Sequence, residues 1–89
     1  MAVLVMGLNA IKVHDVGDSE RVCLYALRNI TAADTLDMSP DFNPPRLAAL
    51  VGTTLVGAVV VSTITGNVLT VPAGPNKDAA YLLVFGVHA

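Results

Sequence analysis

The stretch Leu47–Val61 reads LAALVGTTLVGAVVV and runs on through Ser62–Val71 as STITGNVLTV. Its first fifteen residues carry no charge. Such a run is a membrane span, a buried helix or sheet, and the choice decides the fold. A spanning helix takes about 20 apolar residues, and here Ser62, Thr63 and Thr65 interrupt the run too early. The chain has no Trp, and no Tyr lies close enough to anchor this segment at an interface. Nine of the residues between Val51 and Ile64 are β-branched: Val51, Thr53, Thr54, Val56, Val59, Val60, Val61, Thr63 and Ile64. Such side chains lose rotamer freedom in a helix and fit a pleated sheet. Gly52 and Gly57 lower the helix propensity further. The stretch therefore reads as two strands broken between Gly52 and Gly57.

Working outward, VVVSTIT, Gly66-Asn67 and VLTV read as strand, turn and strand. Gly-Asn suits the positive backbone angles of a two-residue hairpin. Pro72 closes the second strand, and AGPNKDA supplies turn residues. AAYLLVFGVHA is the last strand. Tyr81, Leu83, Phe85 and Val87 point to one side, and Leu82, Val84, Gly86 and His88 to the other. Both sides are largely apolar, so the strand should be covered on both, with another subunit as one cover.

Towards the N-terminus, Arg21–Thr31 (RVCLYALRNIT) alternates as a strand. Its faces are Val22, Leu24, Ala26, Arg28 and Ile30 against Cys23, Tyr25, Leu27 and Asn29. AADTLDMSPDFNPP reads as a long connection in which Pro40, Pro44 and Pro45 forbid a helix. Val3–Val13 is a further candidate strand, followed by the polar turn HDVGDSE. No basic region precedes the apolar N-terminus, which argues against a secretory signal. The expected fold is all-β: one domain, residues 1–89, a small antiparallel β-sandwich or barrel of about six strands. Residues 1–20 form an N-terminal strand or arm.

Composition narrows the function. Only 13% of the 89 residues are charged, about half the usual share. The five basic residues, Lys12, Arg21, Arg28, Arg46 and Lys77, are dispersed, whereas phosphate binding needs them clustered. Nucleic acid and membrane are therefore not expected partners. Cys23 is the lone cysteine and sits in an apolar run, as a buried inert thiol does. His14, Asp15, Asp18 and Glu20 form one acidic group, and Asp34, Asp37 and Asp41 another. Neither has the spacing of a calcium loop, and Asp34 and Asp37 suit turn caps better. His14 and His88 lack zinc-ligand spacing. The Asn29-Ile30-Thr31 glycosylation triplet carries little weight inside a strand. The expected catalytic, cofactor-binding and metal residues are none, and no enzyme activity is expected.

Charge distribution is the most informative feature. Between Leu47 and Asn76 there is no formal charge, and beyond it only Lys77 and Asp78, in one turn. A free monomer intersperses charges over its surface. An uncharged apolar surface marks association. The expected interface is carried by Tyr81, Leu82, Leu83, Val84, Phe85 and Val87.

RNITAADTLDMSPDF, followed by STITGNVLTVPAGPNKDAAYLLVFG, resembles small β-rich virion proteins of tailed bacteriophages. These carry a DTLDLSP-like segment and a G-N-x-x-T-V-P-x-G…Y-L-L-V-x-G ending. The likeness spans Arg28 to Gly86 and leaves the first 27 residues uncovered. It implies a structural protein on the capsid surface. Such a decoration or cement subunit binds the major capsid protein lattice as a dimer or trimer, and it uses no cofactor or catalytic residue. Two alternatives share the composition. One is another virion part, such as a head–tail connector, tail or fibre subunit. The other is a small phage membrane protein such as a holin.

Overall fold

A computed structural model describes residues 2–52, 60–75 and 77–89. Every regular element among them is a strand: β1 (Ala10–Val16), β2 (Glu20–Ile30), β3 (Thr35–Asp37), β4 (Phe42–Gly52), β5 (Val60–Val61), β6 (Thr63–Thr65), β7 (Val68–Thr70) and β8 (Asp78–His88). They form a five-stranded sheet in the order β1-β2-β8-β4-β5 and a three-stranded sheet in the order β3-β7-β6. All pairings between these strands are antiparallel. The architecture is a small β-sandwich, not a closed barrel. No helix among the described residues is long and apolar enough to cross a membrane.

The core lies between the sheets. The large sheet contributes Cys23, Tyr25, Leu27, Ala48, Leu50, Leu82 and Val84, all buried. Leu36 and Leu69 of the small sheet face them, with Ile64 packed alongside. Leu4, Ile30, Met38, Phe42 and Val71 complete the core. Alternation puts every second residue of β2 and β8 into this layer.

Gly66-Asn67 is the two-residue turn expected, with Thr65 opposite Val68 and Gly66 at φ +62°. The strand leading into it is divided. β5 pairs with β4 in the large sheet, whereas β6 pairs with β7 in the small one. Ser62, between them, still donates its N–H to the Ala48 carbonyl at 2.8 Å, so the chain changes sheets at this residue. β4 ends at Gly52 and β5 begins at Val60. The expected break lies between them, and most of it, Thr53–Gly57, falls outside the described residues.

Other expectations need correction. The connection after Thr31 is not featureless: it holds β3 and the first residues of β4. Pro44 and Pro45 lie inside β4, where the register against β8 slips on both sides of Pro45. Among the described residues β5 flanks β4 only at Ala49 and Leu50, and no described strand lies beside the proline end on that side, where a missing N–H is tolerated. The first strand starts at Ala10, not Val3, and runs through His14 and Asp15, so the polar turn shrinks to Gly17-Asp18-Ser19. β2 also slips between Leu27 and Ile30. Asn29 takes φ 56° there, and the slip moves Ile30 from the Val22 face into the core. Asn is among the residues that tolerate this backbone region best.

The N-terminal residues lie against the small sheet through an isolated parallel bridge between Val3 and Thr35. Leu4 is buried, and its N–H donates to the Thr35 carbonyl at 2.7 Å. Thr35 donates in turn to the Ala2 carbonyl at 2.9 Å. This segment covers the edge of β3, which would otherwise present unpaired backbone groups.

Candidate functional site

The two faces of the sandwich differ in chemistry. Across the small sheet, Thr63, Thr70 and Thr35 form one outward rung, and Thr65, Val68 and Asp37 the next. Short hydroxyl side chains there suit contact with water. Three successive outward rungs of the large sheet are apolar but for His14. One is Ile11, Ala26, Tyr81 and Val51; the next is His14, Leu24, Leu83, Ala49 and Val61; the third is Val16, Val22, Phe85 and Leu47. Not one carries a formal charge. Tyr81 is 58% exposed, Val61 63%, Val16 68% and Phe85 38%. Given the ordinary strand spacing and rise, the face covers roughly 500 Å², near the top of what a monomer's surface patch reaches.

The residues singled out from sequence divide across this sheet. Tyr81, Leu83, Phe85 and Val87 lie on the outer face. Leu82 and Val84 are completely buried in the chain's own core, so they form no docking surface. At one end of the outer face Glu20, Val22, Arg46, Phe85 and Val87 line a shallow groove. Glu20 and Arg46 stand on opposite sides of β8, and neither has an ion-pair partner among the described residues.

A second cluster was not legible from spacing. Asp15 and Asp41, read above as members of separate acidic groups, meet around two cations. Arg21 Nε donates to Asp15 Oδ1 at 2.7 Å, and Arg21 Nη2 bonds the other carboxylate oxygen. Arg21 Nη1 donates to the Asp41 carbonyl at 2.7 Å. The Asp41 carboxylate accepts from Lys12 Nζ at 2.7 Å and from the buried Tyr25 hydroxyl at 2.6 Å. The Arg21 guanidinium also lies 5.9 Å from the Phe42 ring centre. The cluster ties β1, β2 and the entry to β4 together.

Its electrostatics are those of a satisfied network. The Arg21 hydrogen bond holds the Asp15 carboxyl well below the ordinary range. Burial pushes Asp41 up, but the Lys12 and Tyr25 hydrogen bonds and the two cations outweigh it, and the carboxyl ends below its usual value. The Asp41 hydrogen bond raises Lys12. Burial, then Asp41, raises Tyr25. Every group is held in its ordinary ionisation state, the reverse of a general base or nucleophile poised near neutrality. Burial likewise raises the Cys23 thiol, which disfavours the reactive thiolate.

The remaining candidates are local. Asp34 accepts from the Ala2 and Thr31 N–H groups, each at 2.8 Å, and Asp37 from the Ser39 N–H at 2.9 Å. Both are turn caps. His14 lies on the outer face of β1, and the His88 ring contacts the Ala89 carbonyl at 2.7 Å. Among the described residues no three His, Cys, Asp or Glu side chains gather as a metal site would require. No protein-family model, curated protein or solved structure matches the chain.

Proposed function

We propose that this chain is a non-enzymatic structural subunit of a virion: a capsid decoration or cement protein that binds the major capsid lattice and stabilises the head. One observation carries the reading. The outer face of the large sheet is apolar but for His14, with no Lys, Arg, Asp or Glu, over three successive rungs, while the opposite face of the sandwich is dressed with threonine. A protein that works alone has no use for this asymmetry; one held against a neighbouring chain does. The resemblance of Arg28–Gly86 to small phage virion proteins supplies the class of assembly. The mechanism is linkage: a subunit that binds the closed lattice but not its separated parts adds its binding free energy to the shell. A rigid sandwich with few long charged side chains loses little entropy on docking.

Particles stripped of the protein test the reading. Added back, the protein should bind saturably and raise the temperature of genome release. Absence of saturable binding, or binding that leaves the release temperature unchanged, overturns it. Saturable binding to the tail instead moves the protein to another virion component.

A further inference from the structure

We propose that the neighbour covering the outer face is a second copy of this chain, packed face to face about a two-fold axis running along β8. This rests on the reading that the outer face is a docking surface, and it names the occupant. The sheet order is the first argument. β8 is the middle strand, with β2 and β4 as its two neighbours. Rotation by 180° about an axis along β8 lays β2 of one copy over β4 of the other and keeps each rung at its own level.

Side-chain volumes fit that rotation. Ala26 meets the larger Val51 of the second copy, Leu24 meets Ala49, and Val22 meets Leu47. Across β2 and β4 each rung sets a smaller residue against a larger one, while Tyr81, Leu83 and Phe85 of β8, on the axis, meet their own copies at the usual sheet spacing of about 10 Å.

Charge fits as well. Glu20 flanks Val87 on β2, and Arg46 sits in the β4 bulge on the other side of the same groove. The rotation brings each Glu20 against the other copy's Arg46, giving two reciprocal ion pairs at one rim from residues that have no ion pair within the chain. Two such faces bury about 1,000 Å² in total, the lower end of what a specific interface needs. An interface of this size belongs to the weak, reversible class.

Sedimentation equilibrium over a concentration series tests this, with Glu20→Arg, Arg46→Glu and the double variant alongside the parent. Both positions are exposed, and thermal melts confirm that each variant folds. Each single change should weaken dimerisation about tenfold or more, and the double change should restore it to within about threefold of the parent. A parent that stays monomeric at hundreds of micromolar overturns the proposal, as does a double variant no better than the singles. Recovery by Glu20→Arg with Arg28→Glu instead overturns the stated axis, because those positions meet only when the axis crosses the strands. A monomeric parent whose binding to particles is abolished by Phe85→Asp would sink the dimer and leave the functional reading standing. A dimeric parent with no affinity for particles would do the opposite.

Discussion

Asp41 accepts hydrogen bonds from both Lys12 and Tyr25 while its carbonyl takes Arg21. Replacing it by Ala leaves a buried hydroxyl and a nearby cation without their acceptor, a loss expected to cost about 2–4 kcal/mol. Tyr25→Phe removes only one bond and should cost less. Chemical denaturation of the two variants checks the order; a Tyr25→Phe loss as large as that of Asp41→Ala would contradict it. Acid acts on the same network. Asp15 and Asp41 have depressed folded-state values, so their contribution is full above the ordinary Asp value of 3.8 and is lost as pH falls below it. Lys12 is raised, so its contribution holds below about 10.5 and is lost as pH climbs past that. The melting temperature should therefore fall at both extremes, and Asp41→Ala should flatten the acid limb. Ser62 is the contrary case. Its buried hydroxyl has no partner among the described residues, so Ser62→Ala should leave stability unchanged or raise it.

At the scale of elements, two glycines carry different constraints. Gly66 adopts φ +62° with open space where a side chain would go, so its requirement is backbone conformation alone. Gly66→Val should cost about 1 kcal/mol or more, and Gly66→Asn very little. Equal melting temperatures for Gly66→Val and the parent would contradict the turn. Gly86 is a matter of space: a Cβ there would lie 2.6 Å from the Pro44 carbonyl oxygen and 2.8 Å from Phe42. Gly86→Ala should destabilise by about 1–3 kcal/mol through overpacking. The Gly66 turn was legible in sequence because a Gly-Asn pair between β-branched runs states its own geometry. The Gly86 contact was not, because the Pro44–Pro45 segment approaches it from a distant part of the chain. The sheet change at Ser62 and the slip at Asn29 were hidden for a related reason. Alternation gives the period of a strand but not the point where its partner changes. The meeting of Asp15 with Asp41 needed the pairing of β1 with β2, which no local spacing reveals.

For the whole molecule, the alternation of β8 was plain in sequence, but both its faces are apolar, so the core side could not be told from the outer side. Burial separates them. Val84→Asp puts an unpaired charge in the core and should prevent folding. Phe85→Asp should leave the circular dichroism of a folded β protein and lose association. If both variants unfold, or both associate normally, the assignment of faces is wrong. The central claim is that the outer face of the large sheet is covered by protein when the subunit is at work. Hydroxyl-radical footprinting of the protein, diluted to nanomolar concentration and then in the virion proposed above, reads this directly. Tyr81, Leu83 and Phe85 should react when free and be protected in the particle. Undiminished reactivity at those three residues in the particle would contradict the account.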